Sequence, residues 1–175
     1  DCRRGTCEKW TNLKLNERDV RHVASTATKD GVLISAEREV LRFVRATGKL
    51  EKLSLPSEML RNENTYGTFV DADHSVWIYS YITESVCRYS MGGKVVKEMV
   101  SLPDGDASVS KSNAIRAMMD DGRGNIWIST DHRGVFIYHK QSGEITNILG
   151  QQNEKNSLSS NNVTALVQDR QGTVW

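Results

Sequence analysis

One stretch of this chain occurs twice. Asn113-Ala-Ile-Arg-Ala-Met-Met-Asp-Asp-Gly-Arg-Gly-Asn-Ile-Trp127 lies over Asn161-Asn-Val-Thr-Ala-Leu-Val-Gln-Asp-Arg-Gln-Gly-Thr-Val-Trp175 without a gap, at a shift of 48 residues. The alignment sets Asp121 on Asp169, Gly124 on Gly172 and Trp127 on Trp175. At a shift of 50, Asp71 falls on Asp121 and Val76-Trp77-Ile78 on Ile126-Trp127-Ile128. A weaker copy carries Gly31-Val-Leu-Ile-Ser35 in place of the Trp-centred segment. The following segments agree as well: Val40-Leu-Arg-Phe43, Val86-Cys-Arg-Tyr89 and Val135-Phe-Ile-Tyr138 share one position. Each is followed by a glycine turn, at Gly48, Gly93 and Gly143. A repeat of this kind fixes the architecture before any single element is assigned.

Each copy reads as four short strands, in the third copy Ala114–Met119, Asn125–Ser129, Gly134–His139 and Glu144–Leu149. Turn residues interrupt the apolar runs every eight to twelve positions, which is an all-β rhythm. Four antiparallel strands in a repeat of about 40–50 residues is the period of a β-propeller blade. The fold class is therefore all-β, with blades of four antiparallel strands. The boundaries are an outer strand of a preceding blade at 8–15, blades at 19–55, 63–102 and 113–150, and a half blade at 161–175. The last copy reaches Trp175 within its central strand, so we expect an incomplete propeller of about three and a half blades, a piece of a larger protein. A blade packs on both faces, so Trp77, Trp127 and Trp175 are expected to fill the wedge between blades, with Gly124 and Gly172 shaping the hairpin before them.

Composition narrows the function. The 23 basic and 22 acidic residues nearly cancel, and no basic stripe of the kind that tracks nucleic acid is visible. No run approaches the roughly 18 apolar residues that span a bilayer. His22, His74, His132 and His139 lack ligand spacing, so no metal and no cofactor is expected. Gly122-Arg-Gly124 is a hairpin rather than a phosphate loop, since no helix follows it. Cys2 and Cys7 are close enough in sequence to pair, or all three cysteines are free; Cys87 aligns with Leu41 and Phe136 and should be buried.

Asn156–Trp175 and Asn113–Tyr138, with the core Asp121-Gly-Arg-Gly-Asn-Ile-Trp-Ile-Ser-Thr130, closely resemble the two-component regulator propeller repeat. Leu33 in place of Trp and His74 in place of the turn glycine depart from it. The resemblance implies a periplasmic sensor of a Bacteroidetes hybrid two-component system. In such systems two propellers precede an immunoglobulin-like domain, a membrane helix, a histidine kinase, a receiver and a helix-turn-helix domain. It further implies an oligosaccharide or other small ligand and a homodimer in the full-length receptor, with membrane contact only through other segments. Kinase and DNA-binding activities would belong to those other modules.

No catalytic residue is assigned. A propeller glycosidase or lyase would need a paired acid set that the sequence does not supply, and the spacing of Asp121, Gly124 and Trp127 differs from a sialidase Asp-box. An interaction scaffold is the third reading. In a propeller, the loops between second and third strands and those between blades meet on one face. Arg38, Tyr81, His132 and Arg133 are therefore the expected ligand-binding residues, an aromatic ring to stack on a sugar and guanidinium groups to hold anionic substituents.

Overall fold

The computed structural model describes residues 24–36, 39–60, 65–90, 96–103, 114–151 and 154–175. Among the described residues, twelve strands form three four-stranded antiparallel sheets, each a simple meander. The first contains β1 (Ala24–Thr28), β2 (Gly31–Ala36), β3 (Glu39–Val44) and β4 (Lys49–Lys52). The second contains β5 (Tyr66–Val70), β6 (Val76–Ser80), β7 (Val86–Ser90) and β8 (Val96–Val100). The third contains β9 (Ile115–Asp120), β10 (Asn125–Thr130), β11 (Val135–His139) and β12 (Ile145–Ile148). These are the four-stranded blades that the repeat predicts. Residues 161–175 form a tight hairpin with one bridge, Gln168 to Val174, where the sequence suggests two strands. Cys2, Cys7 and the outer strand at 8–15 lie outside the described residues.

The sheets are held face to face by side chains of their second and third strands. All five residues of β6 are buried, because this strand has a blade on each side. Toward the first blade, Val76, Ile78, Cys87 and Tyr89 pack with Leu33 and Val40; Cys87 is fully buried, as its alignment predicts. Toward the third, Trp77, Tyr79 and Val86 pack with Ile126, Ile128, Phe136 and Tyr138. The Trp77 indole meets the Tyr138 ring edge-on, with centroids 5.4 Å apart. The first strands of the first two blades converge: Thr26 Oγ1 lies 2.7 Å from Thr68 Oγ1. They are the inner strands, and the repeat gives β9 the same place in the third blade.

The tryptophans do not share one environment. Trp77 is fully buried and Trp127 half-buried, whereas Trp175 is 72% exposed. No sheet among the described residues covers Trp175.

What the three do share is a carboxylate six residues earlier. Trp77 Nε1 donates to Asp71 at 2.9 Å, Trp127 Nε1 to Asp121 at 3.1 Å and Trp175 Nε1 to Asp169 at 2.9 Å. The other carboxylate oxygen accepts backbone N–H groups across the hairpin, from Ser75, from Arg123 and Asn125, and from Gln171 and Thr173. Each aspartate thus closes a three-residue turn and fixes the indole beyond it. The turn needs positive φ at its last residue, supplied by Gly124 (94°) and Gly172 (85°); His74 adopts 62° in the second blade. In the first blade Thr28 pairs with Gly31 across a shorter turn, and Leu33 replaces the indole. Ala27 stands six residues before Leu33, so the capping aspartate and the tryptophan are missing from this blade together.

Asp121 links this device to pH. Burial alone raises its pKa, but the bonds from the Asn125 amide, the Arg123 N–H, the Trp127 indole and the Asn125 N–H outweigh burial and bring it below the ordinary 3.8. The Trp175 indole and the Thr173 N–H lower Asp169 likewise. A carboxyl with a depressed folded-state pKa stabilises above its unfolded value, and that contribution vanishes as pH falls through the folded value. Urea midpoints should therefore decline below about pH 4, the ordinary carboxyl range. Asp121→Asn should be less stable at pH 7 and show a shallower acid decline. An unchanged pH profile in Asp121→Asn would refute the assignment.

Candidate ligand-binding face

An antiparallel meander puts the turns after its second strand, and the exits toward the next blade, at one end of every sheet. At that end the second and third blades meet. Ser80 Oγ accepts the N–H groups of Ile82 (3.1 Å) and Thr83 (3.0 Å), curling the turn from β6 to β7. Thr130 does the same for β10 to β11, accepting from Arg133 N–H at 3.0 Å and donating to the Gly134 carbonyl at 3.0 Å. The repeat thus places a hydroxyl residue three positions after each of these tryptophans, and that hydroxyl shapes the loop that displays the candidate residues.

Tyr79 and Tyr81 form the aromatic part of this end. Their rings meet edge-on at 5.3 Å, with the hydroxyls 3.5 Å apart. Burial, then the contact with Tyr81, pushes the Tyr79 phenol well above its usual value, so it stays protonated. Gly67 pairs with Tyr79 across the sheet, and a Cβ there would run into the tyrosine ring. This glycine makes room for the aromatic pair.

The charged part consists of two ion pairs. Arg116, exposed on the inner strand β9, grips Asp131 with two nitrogens, one of them Nη2 at 2.6 Å from Oδ2. Arg133 reaches from the third blade to the second. Its Nη1 lies 2.5 Å from Glu84 Oε2, its Nη2 donates to the Pro103 carbonyl, and its guanidinium lies 4.9 Å from the Phe136 ring centroid. Its side chain is only 9% exposed.

Of the residues singled out from sequence, Tyr81, His132 and Arg133 are brought to one end of neighbouring blades, and Arg38 lies outside the described residues. His132 is exposed and Tyr81 half-buried. Arg133 differs in kind: its guanidinium is engaged by Glu84 and Pro103, so it joins two blades. Arg116 sits in a strand among apolar residues, where the sequence alone does not mark it as a site residue. The available signal was its alternation with buried Ile115 on an inner strand. Among the described residues no group of three His, Cys, Asp or Glu is placed to hold a metal ion. Glu84 and Asp131 are each gripped by an arginine.

Residues 110–132 and 157–175 match the family model of the two-component regulator propeller. No curated protein matches the chain. Two crystal structures of the extracellular domain of BT4673 from B. thetaiotaomicron share its fold, each at 19% identity and a TM-score of 0.69, over 94% and 93% of this chain. One bears the name of a one-component system, the other of a hybrid two-component system. This chain covers 21% of either, about a fifth of their length. Two segments of this chain match the two-component regulator propeller repeat, and nearly its whole length shares the fold of these extracellular domains.

Proposed function

We propose that this chain is part of the periplasmic, ligand-sensing region of a hybrid two-component sensor, recognising an oligosaccharide and signalling to a histidine kinase elsewhere in the full-length protein. The repeat type and the likeness to extracellular domains of such a system support the sensor reading. The observation that carries the ligand class is the grouping, at one end of the second and third blades, of an aromatic pair with exposed polar groups. Tyr81, half-buried, offers an aromatic ring and hydroxyl backed by the buried Tyr79, and Arg116, Asp131 and His132 offer donors and acceptors within the same loop cluster. Ligand sites commonly combine apolar and aromatic side chains with a few convergent polar groups. For signalling, the sugar need only favour one arrangement of a homodimer over another, by about 1–3 kcal/mol.

Calorimetry against a panel of glycan fragments tests this. One oligosaccharide should bind without turnover, and Arg116→Ala or His132→Ala should weaken it about tenfold or more, the loss of one to two good hydrogen bonds. Cleavage of the sugar would replace the sensor reading with a glycosidase or lyase. Silence across the panel would favour an interaction scaffold.

A further inference from the structure

The opposite end of the same two blades contains an open cleft of about 370 Å³ lined by Ala72, Asp73, Arg88, Gly122, Gly124 and Lys140. It is built by the turn of the second blade, the glycine turn of the third, and the start of the turn after β11. The small residues leave one wall without side chains. The cations provide the chemistry.

Lys140 lies in this cleft with its side chain 13% exposed, between two carboxylates of different character. Asp120, 8% exposed, accepts from Lys140 at 3.1 Å and from the Ala72 and Gly122 N–H groups, so it belongs to the scaffold. Asp73, 63% exposed, meets the ammonium at 2.6 Å from the solvent side. Arg88 lies 5.5 Å over the Trp77 ring. Its nearest partners are the Ser75 hydroxyl at 3.4 Å and Glu98 at 4.0 Å, and its Nε is buried without a hydrogen-bond partner. For a group with five donors this is thin satisfaction. The field of Arg88 also acts on Asp73, whose carboxyl is held below its ordinary value first by the Lys140 bond.

The repeat provides an internal control. Arg42 occupies the Arg88 position in the first blade, but Met91 stands where Lys140 would be in the second. In the third blade Ile137 replaces the arginine. The pairing of arginine with lysine across a blade junction is thus confined to this cleft among the described residues, and the blade architecture does not require it.

We propose that this cleft binds a small oxyanion, a sulfate, phosphate or carboxylate group, on Arg88 and Lys140, and that the exposed Asp73 carboxylate holds the place of that anion in its absence. Two cations of fixed position, one a planar fork and one a point charge, are suited to oxyanion recognition. An incoming anion displaces Asp73 by rotation of one exposed side chain, without disturbing the Lys140–Asp120 bond. This inference is independent of the sugar-binding reading, since it concerns the other end of the blades.

The test is a calorimetric titration of the chain with sodium sulfate and sodium phosphate, with chloride adjusting ionic strength throughout. Saturable binding is expected, at least threefold tighter in Asp73→Asn and lost in Arg88→Gln. General salting effects would act on all three proteins alike, so a common response overturns the proposal, as does weaker binding by Asp73→Asn. Lys140 is left intact because it also serves Asp120. Methyl phosphate binding as well as inorganic phosphate would assign the group to a larger molecule; a preference for the inorganic ion would assign a free anion.

Discussion

Trp77→Ala should destabilise the protein by about 3–5 kcal/mol, the cost of emptying a buried tryptophan site, while Trp175→Ala should change stability by less than about 0.5 kcal/mol, as exposed substitutions do. The two residues hold equivalent places in the repeat and make the same bond to an aspartate. Their packing separates them. The Trp77 indole is wholly enclosed, meets Tyr138 of the next blade and lies beneath Arg88; its loss also strips a hydrogen bond from Asp71, itself 3% exposed. Trp77→Phe restores much of the area but not the N–H donor, and should recover part of the loss, remaining about 1–3 kcal/mol below the parent because a buried acceptor is left unsatisfied. Urea midpoints with unchanged slopes would measure all three. Equal losses at Trp77 and Trp175 would mean that the aspartate bond, rather than the junction between blades, is what the tryptophan provides.

That contrast marks how far the sequence could be read. The blades were legible because the pattern that specifies them is local: alternating apolar segments, a glycine of positive φ, and a repeat that checks every assignment against another copy. Cys87 was legible for the same reason, by aligning with Leu41 and Phe136. The Asp–Trp bond was present in the text as a constant six-residue spacing, at Asp71, Asp121 and Asp169, but spacing alone does not reveal that the hairpin folds the carboxylate back onto the indole. What could not be read was which polar groups meet between blades. Glu84 and Arg133 are 49 residues apart and Asp73 and Lys140 are 67 apart, and only the stacking of the sheets joins them. Arg133 therefore looked like a ligand residue when its guanidinium is turned inward. Arg116, set among apolar strand residues, gives no sign in the sequence that it is exposed.

If Arg133 is a joint between blades, Arg133→Met should cost about 2–4 kcal/mol, a little under the cost of breaking a fully buried ion pair because Glu84 is 28% exposed. Three consequences add up in that variant. Glu84 loses its counter-charge while 28% exposed, the Pro103 carbonyl loses a donor, and the contact with the Phe136 face is kept only in part by the methionine. Glu84→Gln should be milder, about 1 kcal/mol, because the amide oxygen can still accept from the guanidinium. The double variant should lose less than the sum of the two, with a coupling of about 0.5–3 kcal/mol, as contacting residues show. Hydrogen exchange locates the effect. Amides of residues 81–85 and 101–102 should exchange faster in Arg133→Met, while the central strands β6 and β10 keep their protection at low denaturant. Sugar affinity, where present, should then fall along with that loop protection in Arg133→Met, whereas Arg116→Ala should lower affinity and leave exchange unchanged. Strictly additive losses, or exchange rates unaltered in both loops, would show that the pair does not join the blades and would return Arg133 to the set of residues available to a ligand.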